Sequence, residues 1–280
     1  MTLYHYCSAA AFESIIRNRS IWLSSLASSN DTQEGVWLGV VLRDICYEFG
    51  ISEDDVERVL ALFRSSADYW DSLGFCLTAE GDMLSQWRGY ADDGCGFAIG
   101  FSDEGLKNAA LSHNGNLLDV VYDRQQQLDI VRERFPPIIQ AIKNGAFVMP
   151  TVSGSEGRTQ YDKAKSRSIH ASASLSNIML RLVDIMYKLK NPAFHEENES
   201  RLVVEVSRAY DDCDFHISGR KIVPHRTVAF GSVAPEITIE RIVIGPRNPT
   251  APDIIAAFLR KHDFFLTDIG LSTATYRAAI

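Results

Sequence analysis

Phe194-His195-Glu196-Glu197-Asn198-Glu199-Ser200-Arg201-Leu202-Val203-Val204-Glu205-Val206 runs from a dense charged segment straight into a β-branched one. Alternate side chains of a strand share a face. A strand over this stretch therefore places Glu197, Glu199 and Arg201 on one side, with Asn198, Ser200 and Leu202 on the other. Two carboxylates and a guanidinium at the mouth of a buried strand suit a site that stabilises a developing cation or orients hydroxyl groups. The same pattern also describes a solvated strand end with an Arg–Glu ladder, since structural ion pairs gather carboxylates too.

Downstream of it, strands are expected over 220–223, 226–230 and 237–244, a helix over 254–261 and a partial strand within 266–276. Upstream, Leu175, Ile178, Met179, Leu182, Ile185, Met186 and Leu189 recur at helical spacing, and Asn191-Pro192 stops them. Pro136-Pro137 breaks a helical stretch over 126–143. Ser153-Gly154-Ser155-Glu156-Gly157-Arg158 reads as a mobile loop. At the start, Leu3-Tyr4-His5-Tyr6-Cys7 alternates as a strand. Ser8 is placed to cap a helix with Phe12, Ile15 and Ile16 on one face, and 21–25 forms a second strand. Helices follow over 36–49 and from Ser52, where Ser52 and Asp55 resemble a capping box before the apolar face Val56, Val59, Leu60, Phe63. Strands are expected at 74–78, 95–101 and 117–122, and a short helix with exposed aromatics at 83–90. Gly96 and Gly100 point to close backbone approach. Strands at both ends and helices between predict an α+β fold: a mixed β-sheet core with a largely helical insertion. No shift in composition divides the chain, so 1–280 is read as a single domain, with helical insertions around 36–72 and 124–190.

The charge of −8 argues against a broad nucleic-acid footprint, though not against a small local patch. No apolar run reaches membrane-spanning length, and Met1-Thr2-Leu3-Tyr4-His5-Tyr6 lacks the basic-then-apolar pattern of a secretory signal. The five cysteines are scattered, with no CxxC or Cys/His ligand spacing. Reduced thiols in a cytoplasmic protein are the simple account, and no metal is expected.

Among single residues, His5 stands between Tyr4 and Tyr6, where a strand histidine is commonly structural. Asn30-Asp31 reads as a turn. Gln86-Trp87-Arg88-Gly89-Tyr90 offers stacking area and a guanidinium fork for phosphate, or simply a helix packed by its aromatics. Phosphate loops, nucleophile elbows and HExxH are absent.

Taken in order, Leu3-Tyr4-His5-Tyr6, Ile21-Trp22-Leu23-Ser24, Asn30-Asp31 with Glu34, Phe75-Cys76-Leu77-Thr78, Gln86 to Ala91 with Gly96 and Phe101, Phe194 to Arg201 and Ile244-Gly245-Pro246 resemble the bacterial DUF2971 family over nearly the full chain. Thr32 departs from the proline usual after Asn-Asp. The opening strand–helix–strand and the Glu-x-Glu strand are in turn similar to DarT-like ADP-ribosyltransferases. That resemblance implies an ADP-ribosyltransferase-like fold, NAD as substrate, a toxin or phage-defence role, and an acceptor that is protein or nucleic acid. It assigns His5 to the nicotinamide-side ribose, Ser24 and Trp22 to the surroundings of the nicotinamide, and Glu199 to the ribose 2′-hydroxyl. Glu197 would orient or deprotonate the acceptor, and Arg88 or Arg201 would pair with the pyrophosphate. Tyr90 and Trp87 are the aromatics available for stacking. The reading requires His5 and Glu199 to face one cleft. Two alternatives stand beside it. One is a non-enzymatic module that binds a nucleotide or a partner. The other is a Mg²⁺-dependent phosphodiesterase built on Asp31, Glu34 and the glutamates.

Overall fold

Ser8 is extended, and its hydroxyl accepts the Ala11 N–H, so strand β1 (Thr2–Cys7) turns directly into helix α1 (Ala9–Asn18). Phe12, Ile15 and Ile16 are its buried face, and Arg19 in the left-handed region ends it before β2 (Ser20–Ser25). The computed structural model describes residues 1–29, 34–148, 157–232 and 236–276. The Asn30-Asp31 turn and Thr32 lie outside the described residues, as does the 153–156 part of the expected loop. Gly157 and Arg158 already belong to a helix.

Helices α2 (Trp37–Glu48) and α3 (Glu53–Ala67) follow. The Ser52 side chain accepts the Asp55 N–H, and Val56, Val59, Leu60 and Phe63 are buried as their spacing predicts. Then come β3 (Trp70–Thr78), α4 (Leu84–Tyr90), β4 (Phe97–Ser102), α5 (Asp103–Ser112) and β5 (Asn116–Asp119). Proline ends one helix and begins the next: α6 (Arg124–Arg134) stops short of Pro136, which opens α7 (Pro136–Lys143). Helix α8 (Gly157–Leu182) precedes β6 (Glu199–Ser207), β7 (Asp214–Ser218), β8 (Lys221–Ala229), β9 (Ile239–Ile244), α9 (Pro252–Lys261) and β10 (Asp268–Leu271).

Three expectations need correction. The apolar run to Leu189 is not one helix: α8 ends at Leu182, a 3-10 turn covers Val183–Ile185, and Leu189 bridges Val121. The two strands expected at 220–230 are one strand, β8, paired in a hairpin with β7. The charged stretch before Glu199 is a 3-10 helix (Pro192–Glu197) closed by Asn198 at φ 42°, so Glu197 is not on the strand.

The strands form one mixed, open sheet in an α+β fold, ordered β10-β9-β4-β1-β3-β2-β8-β7, with β6 and β5 branching from β3. Among the described strands only β9 and β10 pair in parallel. Leu202, Val204 and Val206 join α1, α5 and α9 in one core, while Val203 on the opposite face joins α2, α3, α6, α7 and α8 in a second. On that second face α4 covers β1, β4 and β9 through Trp87, Ala91, Tyr6, Ala98 and Val243. Gly96 allows this end to close: a Cβ there would lie 2.1 Å from the Cys7 carbonyl oxygen. No helix among the described residues is long and apolar enough to cross a membrane.

The sheet forks at β3. Strand β6 pairs along its whole length, from Trp70 opposite Ser207 to Thr78 opposite Glu199. Strands β1 and β2 must therefore share the other edge. They hold opposite ends of it: Tyr4 lies opposite Thr78, and Ser24 and Ser25 lie opposite Gly74 and Leu73. Between those points the two strands part.

Candidate functional site

In the fork, the Cys76 carbonyl lacks a strand neighbour and is met instead by the side chain of His5. The Nδ1 of His5 lies 2.8 Å from that oxygen, and a carbonyl only accepts, so Nδ1 carries the proton and Nε2 is left as an acceptor. The ring stacks on Phe75 with centroids 4.1 Å apart. Burial pushes the imidazole down to about 4, with the bond to Cys76 offsetting only part of that, so His5 is neutral at pH 7.

Next to the fork, on the face between α4 and the helical layer, is a cavity of about 120 Å³. Its floor and walls include His5, Tyr4, Glu199, Arg201, Lys190 and Tyr90. An apolar cavity of about 150 Å³ holds one benzene, so this slightly smaller space has room for no more than a single ring.

Arg201 organises the charge. It stands opposite Cys76 across the β3–β6 ladder and is fully buried. Nε and one Nη donate to the two oxygens of Glu199 at 2.9 and 2.7 Å. Both Nη atoms donate to Glu34, at 2.6 and 3.0 Å, and the Tyr187 carbonyl takes the last N–H at 2.9 Å. All five donors of the guanidinium are thus used. Tyr187 is in turn anchored by the buried Asp71, which accepts from the hydroxyls of Tyr187, Tyr210 and Ser25.

Lys190 is the second cation, 6% exposed. It donates to Glu197 and, at 3.1 Å, to Glu199. Its backbone is pinned by Gln127, whose side-chain amide donates to the carbonyls of Val121 and Lys190, each at 2.7 Å. Tyr90 donates its hydroxyl to the other oxygen of Glu197 at 2.8 Å. Burial alone would raise the Glu199 carboxyl; Arg201 and then Lys190 outweigh it and hold the group at about 2. Glu34, Glu197 and Glu199 against Lys190 and Arg201 leave one formal negative charge in the cluster.

Of the residues singled out in the sequence, His5, Glu197, Glu199, Arg201 and Tyr90 meet at this cavity. Trp22, Ser24 and Arg88 do not line it. Trp22 packs against His225 and His216 with centroids 4.3 and 5.0 Å away, Ser24 pairs with Gly74 and His225 in the sheet, and Arg88 lies over the Tyr276 ring. Trp87 is not an exposed aromatic: it is wholly buried, and its indole N–H donates to Asp82. In its present contacts Arg201 has no donor left for a phosphate. Lys190 was missed, because a lysine after an amphipathic run reads as solvated. Gln86 figured only as the start of the Gln86-to-Ala91 run, with no role of its own. Glu34 was noted only as a landmark and a metal-ligand candidate. Among the described residues no group of three or more His, Cys, Asp or Glu could hold a metal ion, and Asp31 lies outside them.

Fold and cavity together define an α+β protein with a cavity lined by paired charges at a fork in its sheet. The model of a family described as "Protein of unknown function (DUF2971)" matches residues 86–202 and bears out the DUF2971 resemblance over that stretch, not over the nearly full length expected. The matched stretch contains Gln86, Tyr90, Lys190, Glu197, Glu199 and Arg201, and leaves out His5 and Glu34. No curated protein and no solved structure matches the chain.

Proposed function

We propose that the chain is an NAD-dependent ADP-ribosyltransferase-like enzyme. The observation that carries this reading is the meeting of His5, from the first strand, and Glu199, from a late one, in a single cavity. In the proposed reaction the C1′–N bond to nicotinamide breaks and nicotinamide leaves with the bonding electron pair. Positive charge then develops on the ribose. A carboxylate held ionised beside it stabilises that transition state more than the ground state. An acceptor oxygen or nitrogen forms the new bond to C1′ and gives its proton to Glu197. Neutral His5 offers Nε2 to a ribose hydroxyl. In this reading the small cavity receives the nicotinamide end, with the rest of the dinucleotide outside; its size of about 120 Å³ supports that placement. Arg201 serves as the organiser of the two glutamates, leaving the pyrophosphate to residues at the rim. A toxin or phage-defence role and a protein or nucleic-acid acceptor follow from the resemblance alone.

One observation favours a second reading. Both oxygens of Glu199 are already held by Arg201, and such internal neutralisation suits a non-enzymatic module that binds a nucleotide or a partner. Incubating the protein with NAD and following nicotinamide by chromatography, with calorimetry on NAD in parallel, separates the two. Release supports the enzyme; binding without release supports the module.

A further inference from the structure

Gln86 is a polar residue of the cavity that takes no part in the charge network. It is 7% exposed and lines the cavity from the first turn of α4. No described residue bonds its carboxamide, although the neighbouring polar groups are engaged: Tyr6 donates to the Glu80 carbonyl and accepts from the Met83 N–H, and Tyr90 donates to Glu197. A buried amide is normally satisfied. Among the described residues no sealed-off side-chain nitrogen or oxygen lacks a partner, so the Gln86 amide is not sealed off. The unpartnered carboxamide is therefore accessible, on a residue that lines the cavity.

A carboxamide presents one acceptor and one NH₂ donor side by side. Its complement is a planar group with a donor and an acceptor on adjacent atoms, either a primary carboxamide on a ring or the amino-azine edge of a nucleobase. The cavity has room for one such ring, and Tyr4 and Tyr90 supply aromatic wall. We infer that Gln86 is the specificity-determining residue of this cavity, selecting a single planar ring that carries a paired hydrogen-bond donor and acceptor. The inference deepens the proposed function by giving the ring site its reader, and it rests on a ring entering the cavity, not on NAD being cleaved.

The test uses the whole protein and two neutral ring pairs: nicotinamide against 3-acetylpyridine, and cytidine against its analogue without the 4-amino group. In each pair the second compound lacks the amino donor. Calorimetric or NMR affinities on the wild type are expected to favour the first member of one pair by at least about tenfold, because a site built to bond a group rejects the analogue that lacks it. The pair that discriminates identifies the source of the ring. In Gln86→Met, which keeps length without the amide, that ratio falls to near one while the melting temperature is held. Ratios near one for both pairs on the wild type, no binding of any of the four, or a ratio that survives in Gln86→Met overturns the inference. NAD cleavage with an unchanged ratio defeats this inference alone. A ratio that collapses without NAD cleavage defeats the enzyme reading alone.

Discussion

Arg201 and Glu34, 167 positions apart, are joined by two hydrogen bonds of 2.6 and 3.0 Å in the protein interior. The same guanidinium holds Glu199 through two more. Removing one partner of a buried pair leaves uncompensated charge and costs about 3–5 kcal/mol. Arg201→Met is therefore expected to lower unfolding free energy by about that amount at pH 7, read from urea midpoints at constant m-value. Arg201→Met combined with Glu34→Gln is expected to recover part of the loss. A single-mutant loss below about 1 kcal/mol would show that the network does not hold the fold.

Stability should fall in two stages on acidification. His5 is held at about 4 against an ordinary 6.5, so between those values the unfolded chain binds a proton that the folded one refuses. Stability is then full above about 6.5 and declines as pH falls towards about 4. Glu199, held at about 2 against an ordinary 4.5, adds a second loss from about 4.5 down to about 2. Urea unfolding across this range checks both, and His5→Gln, which keeps a donor for the Cys76 carbonyl, should flatten the upper stage only.

Tyr90 and Glu197 separate stability from chemistry. The Tyr90 side chain is half-exposed, and its one bond to protein goes to the carboxylate assigned to the acceptor proton. Tyr90→Phe is expected to change unfolding free energy by no more than about 1 kcal/mol. If Glu197 acts as that base, kcat should drop by about tenfold, with the pH–rate profile displaced.

Tyr4 is held between two glycines. A Cβ on Gly81 would come within 2.6 Å of its ring, and one on Gly100 within 2.9 Å. Gly100→Ala should push the ring from its place in the cavity wall. The expected cost is about 1–3 kcal/mol of overpacking, seen as a lower melting temperature together with weaker ring binding. An unchanged melting temperature would mean that the ring moves freely.

What the sequence revealed, and what it hid, follows from the range of the interactions. The caps at Ser8 and Ser52, the buried faces of α1 and α3 and the proline break before α7 were legible, because each is set by neighbours within a turn or two. Glu197, Glu199 and Arg201 were legible as a cluster, but for a partly wrong reason. Alternation holds for Glu199 and Arg201, whereas Glu197 reaches the cavity by way of left-handed Asn198. Strand β7 was missed although Phe215 and Ile217 alternate with polar residues, because the run is only five residues long and its two apolar side chains are exposed in the structure. Lys190, Gln86 and Glu34 acquire their meaning only through the fork of β1 and β2 from β3, which local pattern does not encode. Trp22 and Ser24 lie two residues apart on the strand, yet β2 carries both away from the cavity.

In the proposed reaction Glu199 acts on NAD through its charge. Glu199→Gln keeps the shape of the side chain and removes the charge, so the most direct measurement is nicotinamide release from NAD by wild type and Glu199→Gln, with equal folding confirmed by circular dichroism. Measurable release by the wild type is expected, with a variant slower by about 100-fold or more, equivalent to roughly 2.7 kcal/mol of lost transition-state stabilisation. A silent wild type, or a variant as fast as the wild type, contradicts it.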